Sequence, residues 1–181
     1  MSEQLRVPPC NIQSEQALLG ALMIAPETIS NVRATIERDD FYRRDHQLIY
    51  AAICDAHESG RSYDAVTLGD WFSEQGQSEL IAGGAYLVEL ASTTPSAANI
   101  SAYADIVRQA SIKRKLIEIG TEMVNRGFNC ATPEEIITEG FAELSGALSR
   151  TEAKSIEPVD MFSDYATSAL APDLLPPGVA E

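Results

Sequence analysis

An all-α fold is predicted by three features: apolar residues recur at helical spacing, helix caps recur between those stretches, and no segment alternates β-branched residues with period two. The expected architecture is a compact helical head over residues 1–100 and an antiparallel helical hairpin over 101–150. A proline-containing acidic linker then occupies 151–181. The break at Thr94-Pro95-Ser96-Ala97-Ala98-Asn99 separates head from hairpin.

Each element has a local reason. Pro8 and Pro9 end a polar leader, and Asn11 can accept a backbone N–H at the start of a helix bearing Leu18, Leu19, Leu22 and Met23. Ala25-Pro26 stops that helix, and Pro26 suits the first turn of a second one carrying Ile29, Val32 and Ile36. Arg38-Asp39-Asp40 reads as a solvated loop with exposed carboxylates, and Phe41 and Tyr42 begin the next buried element. From Asp45 the residues Leu48, Ile49, Ala52, Ile53 and Ala56 draw one stripe on a helix that ends near Gly60. Asp64 is placed to cap a helix with Val66, Leu68, Trp71 and Phe72, stopped at Gly76, and Gly83-Gly84 opens another with Tyr86, Leu87, Leu90 and Ala91. The head core is expected to depend on Leu19, Leu22, Ile49, Ile53 and Trp71.

The first arm helix should run from Ile100 to about Phe128, with Tyr103, Ile106, Val107, Ala110, Ile117, Gly120 and Val124 along one face and Leu116 and Met123 beside it. Thr132-Pro133-Glu134-Glu135 then combines a capping Thr, a proline at the first helical position and a Glu three residues after the cap. The helix it starts carries Ile136, Ile137, Gly140, Phe141, Leu144 and Leu148. A short turn between the two makes them antiparallel. Basic residues predominate on the first arm helix and Glu134, Glu135, Glu139 and Glu143 on the second, but exposed ion pairs contribute only about 0.2 to 1 kcal/mol each. Each large apolar side chain fully buried contributes roughly 1.5 to 3 kcal/mol, so the apolar stripes govern the association. Two helices alone cannot bury both stripes, and the remainder needs another surface.

Composition narrows the function classes. The 181 residues suffice for one domain with appendages, and 13 Lys and Arg against 27 Asp and Glu leave a net charge of −14. Such a surface repels phosphate backbones, so little or no direct nucleic-acid binding is expected and a protein partner is favoured. The longest apolar stretch, Ala17 to Ala25, is far below the roughly 20 residues that span a bilayer, which points away from the membrane and to the cytoplasm. Cys10, Cys54 and Cys130 are odd in number and lack a Cys-x-x-Cys spacing, so they read as reduced thiols, with Cys54 a buried inert one.

No spacing supports catalysis. There is no Gly-x-x-x-x-Gly-Lys-Ser/Thr phosphate cradle, so hydrolysis of ATP by this chain is not expected, nor is a bound cofactor or metal. His46 and His57 lie about three turns apart on one helix, too far to share a metal, and read as satisfied structural residues. Lys113-Arg114-Lys115 spreads its charges around a helix as a solvated face, and Asn99-Ile100-Ser101 reads as a helix cap. Pro158, Pro172, Pro176 and Pro177 mark the tail as a linker, in which Met161, Phe162 and Tyr165 fit a short helical turn that docks on a neighbour.

Several blocks resemble, in order and spacing, the N-terminal domain of DnaB-type bacterial replicative DNA helicases. They are Asn11-Ile12-Gln13-Ser14-Glu15-Gln16-Ala17-Leu18-Leu19-Gly20, Phe41-Tyr42-Arg43-Arg44-Asp45-His46, Asp64-Ala65-Val66-Thr67-Leu68, Gly83-Gly84-Ala85-Tyr86-Leu87, Thr94-Pro95-Ser96-Ala97-Ala98-Asn99 and Tyr103-Ala104-Asp105-Ile106-Val107-Arg108. The resemblance implies a head whose hairpin pairs with that of a second subunit in a ring built as a trimer of dimers, a collar that receives the C-terminal domain of a primase, and contact with a helicase loader. It also implies that unwinding belongs to a separate RecA-like domain, with its ATP and Mg, joined through a linker. Ile137, Phe141, Leu144 and Leu148 are then expected to meet another subunit, with Leu116, Met123 and Val124 completing the seam. Leu174-Leu175-Pro176-Pro177-Gly178 does not resemble the usual linker helix and fits a divergent phage or prophage protein as well as a bacterial one. An alternative from another class is a free-standing adaptor that uses the same fold to bind a helicase or primase and alter its assembly.

Overall fold

The computed structural model describes residues 7–129 and 132–152. Cys130, the linker after Glu152 and the helical turn expected at Met161, Phe162 and Tyr165 lie outside the described residues. Among the described residues there are seven α-helices, with 3₁₀ turns in four of the connections between them, and no strand.

Helix α1 (Ile12–Ile24) is the axis of the head. Asn11 Oδ1 accepts the Ser14 N–H at 3.0 Å and so satisfies one of the first-turn donors. Leu18, Leu19, Ala21 and Leu22 are fully buried, and the helix is covered on nearly all sides because α3, α5 and α6 each pack on it. Gly20 explains how close α5 comes: a Cβ there would stand 2.2 Å from the Leu90 carbonyl oxygen and 2.0 Å from Thr94 Oγ1. No other residue fits that contact unless the helices separate.

Around this axis most elements keep their expected starts and stops; the second helix does not, since its Pro26 turn is 3₁₀ and the α-helix ends at Arg33, before Ile36. A 3₁₀ turn at Pro26–Thr28 leads into α2 (Ile29–Arg33), and a second at Arg38–Asp40 leads to α3 (Arg44–Glu58). Asp64 Oδ1 accepts the Val66 and Thr67 N–H groups, both at 2.9 Å, to start α4 (Ala65–Glu74). Gly60 and Gly76 close α3 and α4 at φ of 64° and 68°, left-handed values that favour glycine. Helix α5 (Ala85–Thr93) starts at Gly84, and Thr94 ends it.

Ile49 and Ile53 of α3, Leu68 and Phe72 of α4 and Leu87 and Leu90 of α5 complete the core. Tyr50 and Tyr63 bury their rings there and still donate their hydroxyls, to Ile36 O at 3.0 Å and Pro26 O at 2.7 Å. Trp71 departs from expectation. It is only partly buried, packed edge-on against Phe72, which occupies the core position instead. Tyr42 is likewise exposed while Phe41 beside it is buried, because consecutive side chains here leave the chain in different directions.

His46 bears out its structural reading. It is fully buried, with Nδ1 2.7 Å from Glu15 Oε2 and Nε2 2.6 Å from the Tyr86 hydroxyl. Glu15 also accepts the Tyr42 N–H at 2.8 Å, so one polar chain joins α1, the entry to α3 and α5. Asn99 does not cap as expected: its side chain makes no cap bond, and Ser96 Oγ accepts the Ala98 N–H at 3.2 Å in the turn before α6.

Truncating Ile53 or Leu22 to Ala is expected to cost about 2 to 5 kcal/mol in urea denaturation, against a smaller loss for Trp71→Ala. Gly20→Ala should destabilise although it adds only a methyl group, because backbone of α5 must move to admit it.

Candidate interface on the helical hairpin

Helix α6 (Ile100–Phe128) has 29 residues and is therefore about 43 Å long, too long for the head to cover. Its first turns are rooted in the core through Ile100, Ala104 and Val107. Farther along, α7 (Pro133–Glu152) lies against it, and Ile119 is buried between them. The expected start of α7 is observed: Thr132 donates its N–H to Glu135 Oε2 at 3.0 Å, and the Glu135 N–H reaches Thr132 Oγ1 at 3.4 Å.

The seam combines the large Ile119, Met123 and Ile136 with small residues of α7. Gly140 and Ala147 of α7 face α6, and a Cβ on Gly140 would stand 2.8 Å from Met123 Sδ. Met123 lies across that glycine. The opposite charges of the two helices meet in an ion pair between Arg126 and Glu139, with Arg126 also bonded to Glu122 at 2.9 Å. The chain from Met123 to Gly140 and from Arg126 to Glu139 places the helices antiparallel, with their joined ends at the tip.

What the seam leaves outside is apolar. On α7, Ile137, Phe141, Leu144 and Leu148 are exposed, Phe141 by 72%. On α6, Leu116, Ile117, Val124 and Phe128 are exposed, Phe128 by 89%. Ile137, Phe141 and Leu148 each follow a seam residue, Ile136, Gly140 and Ala147, by one position, a rotation of about 100°. Val124 follows Met123 in the same way. Rotations of one sense on antiparallel rods open on the same side, so the two stripes form one face of the hairpin.

The site residues expected from the sequence divide accordingly. Leu116, Val124, Ile137, Phe141, Leu144 and Leu148 stand on the exposed side, whereas Met123 is partly buried inside the hairpin. The face drawn for the first arm helix also needs correction. Val107 from that set is buried in the head, Ile106, Ile117 and Val124 point outward, and the residues that actually bury are Ile112 and Ile119. Ile136 and Gly140, assigned to the same stripe as Phe141, belong to the seam. Ile117 and Phe128 join the exposed face, and their signal is the seven- and four-residue spacing through Val124.

At the base of the hairpin two further expectations fail. Asp40 is not an exposed loop carboxylate but is only 1% exposed, with Oδ1 and Oδ2 accepting from Arg150 Nη2 at 2.8 and 2.7 Å. Its Oδ2 also accepts the Glu37 N–H at 2.8 Å. Arg114 is not a solvated member of its basic run: it donates to Pro9 O at 2.9 Å and to Asp40 O at 2.6 Å while lying over the Tyr42 ring. Lys113 and Lys115 remain exposed. A cleft of about 680 Å³ lies beside this junction, lined by Pro8, Tyr42, Arg114, Ile117 and Arg150 among others.

The arrangement is suited to binding. Among the described residues no group of His, Cys, Asp and Glu is placed to hold a metal, and no helix is long and apolar enough to cross a membrane. Cys54 is partly buried, and that burial pushes its thiol above the ordinary value, away from the thiolate a nucleophile needs.

The Glu135 carboxyl is held below its ordinary value, chiefly by the Thr132 backbone N–H it accepts. A carboxylate lowered on folding stabilises above its unfolded pKa, about 4.3, and loses that contribution as pH falls through the folded one. The first turn of α7 should therefore loosen in acid below about pH 4, seen as amide shifts by NMR, and Glu135→Gln should abolish the effect.

A family profile, DnaB-like helicase N terminal domain, matches residues 7–109. The replicative DNA helicase DnaB of Mycobacterium leprae is 36% identical over 142 residues, which are 77% of this chain and 24% of the relative. Replicative DNA helicase DnaC of Bacillus subtilis is 38% identical over 123 residues, 68% of this chain and 27% of its own length. The chain thus spans about a quarter of the length of these curated relatives. Among solved structures, the N-terminal domain of DnaB helicase from Mycobacterium tuberculosis superposes with a TM-score of 0.72 at 36% identity, covering 77% of this chain and 99% of that one. A structure described as a DnaB-like replicative helicase and its interactions with primase gives 0.60 at 25% identity, over 88% of this chain and 35% of that one. With more than half its length matched by the family profile, the chain belongs to the DnaB-like helicase N-terminal domain family.

Proposed function

We propose that this chain is the collar and oligomerisation domain of a replicative DNA helicase, pairing with a second copy through its hairpin and serving in a hexameric ring as a docking platform for primase. The observation that carries the reading is the single apolar face made by Leu116, Val124, Ile137, Phe141, Leu144 and Leu148. A contiguous apolar face of this extent is uncommon on a monomer and marks an interaction site. Its two-helix form suits a second copy, because the two faces can interdigitate with a twofold axis between them. Met123 supports the face from inside, where it spaces α6 from α7.

In this reading residues 1–100 form the head, 101–150 the pairing arm and 151–181 the connection to a RecA-like motor domain that holds ATP and Mg and unwinds DNA at the fork. The neighbouring structure that includes primase supports a primase C-terminal domain as the partner of the assembled collar, and a helicase loader is a further partner. The net charge of −14 supports a protein partner over direct contact with DNA.

Replacing Phe141 and Leu144 together with Asp should leave the helical content unchanged and weaken self-association by at least about 100-fold, giving monomers in light scattering. Dimers that persist in this variant would overturn the assignment.

A further inference from the structure

The base of the hairpin is held by a contact that the collar reading does not use. Among the described ion pairs, Arg150 with Asp40 is the one that runs from α7 to the head, since the other charged contact of α7, Arg126 with Glu139, stays inside the hairpin. It joins residues 110 positions apart. Asp40 is prepared for this role: the Glu37 N–H fixes its carboxylate, the Arg38–Asp40 turn presents it, and Arg114 of α6 holds its carbonyl. One residue therefore gathers the head, α6 and the last turns of α7.

We infer that Asp40 and Arg150 form a positioning latch that fixes the end of α7 on the head and so sets the direction in which the chain leaves the domain after Glu152. The seam cannot do this alone. Gly140 and Ala147 present little for α6 to grip, and the interlocking residues Met123, Ile119 and Ile136 lie toward the tip. Near Arg150 the directional contact is a single guanidinium nitrogen, Nη2, donating to both oxygens of a buried carboxylate. The pair is also asymmetric. Asp40 is buried, whereas the Arg150 side chain is 36% exposed and lines the cleft at the hairpin base. Arg150 can leave toward water, but Asp40 would remain as an uncompensated charge inside the protein, which favours closure. A closed latch keeps one exit direction, and an open one lets the end of α7 swing. The consequence for a following motor domain rests on the collar reading, while the latch rests on the fold of the single chain.

Amide hydrogen exchange on the full chain tests it, comparing the native protein with Arg150→Gln and Arg150→Lys. The glutamine variant should lose about tenfold in protection over residues 145–152 and around the Glu37–Phe41 turn, with α1 and α3 unchanged. The lysine variant, which keeps the charge on a shorter, non-planar head group, should fall between. Asp40→Asn should give the same local pattern. If that variant fails to fold, the Arg150 variants still decide, because they alter a partly exposed side chain at a helix end. Unchanged exchange over 145–152, or a loss spread evenly over the domain, would overturn the latch. Repeating the comparison in the Phe141→Asp, Leu144→Asp background separates the two readings: a local loss there supports the latch even if that background still dimerises and the collar reading has failed.

Discussion

Two helices packed side by side hide only the faces they turn toward each other, and in this chain the two buried residues of α7 on that face, Gly140 and Ala147, are small. Gly140 and Ala147 let α6 and α7 approach closely, while Phe141 and Leu148 stand one step around the helix in solvent and Leu144 is exposed beside them. Those large apolar side chains of α7 therefore stand where no other described residue covers them. Each of those side chains is worth roughly 1.5 to 3 kcal/mol when buried, far more than the surface ion pair of Arg126 with Glu139 returns to the hairpin.

The head answers a different need, which is to hold the base of a long lever still. Helix α1 is buried on nearly every side, Gly20 brings α5 against it, and the chain Glu15–His46–Tyr86 crosses the core with its polar groups paired. Ile100, Ala104 and Val107 root α6 in this body, so the arm continues a rigid element instead of hanging from a loop. Arg114 and Arg150 then tie the two arm helices to the same turn at Asp40. A rigid root matters to any assembly built on the arm, because the orientation of the exposed face relative to the head determines how a second copy is placed.

Local chemistry was readable in the sequence. Asn11, Asp64 and the Thr132–Glu135 box cap helices because each acts on backbone within a few residues, and Gly60 and Gly76 stop helices for the same local reason. The choice between adjacent apolar stripes was not. Helix α6 carries Ile112 and Ile119 on one flank and Ile117 and Val124 on another, and periodicity alone does not say which flank meets α7. That choice is made by the small residues on the partner helix. Asp40 escaped for a related cause: a doublet of aspartates beside an arginine looks solvated until a partner far along the chain folds back onto it. Trp71 shows the limit of size as a guide, since Phe72 takes the core position and leaves the larger ring at the edge.

Sedimentation equilibrium of the unmodified chain over a wide concentration range addresses the central claim most directly. The exposed face of the hairpin predicts a reversible monomer–dimer equilibrium that shifts to dimer as concentration rises. A single monomeric species up to the highest soluble concentration would show that this face needs no second copy, and would contradict the account.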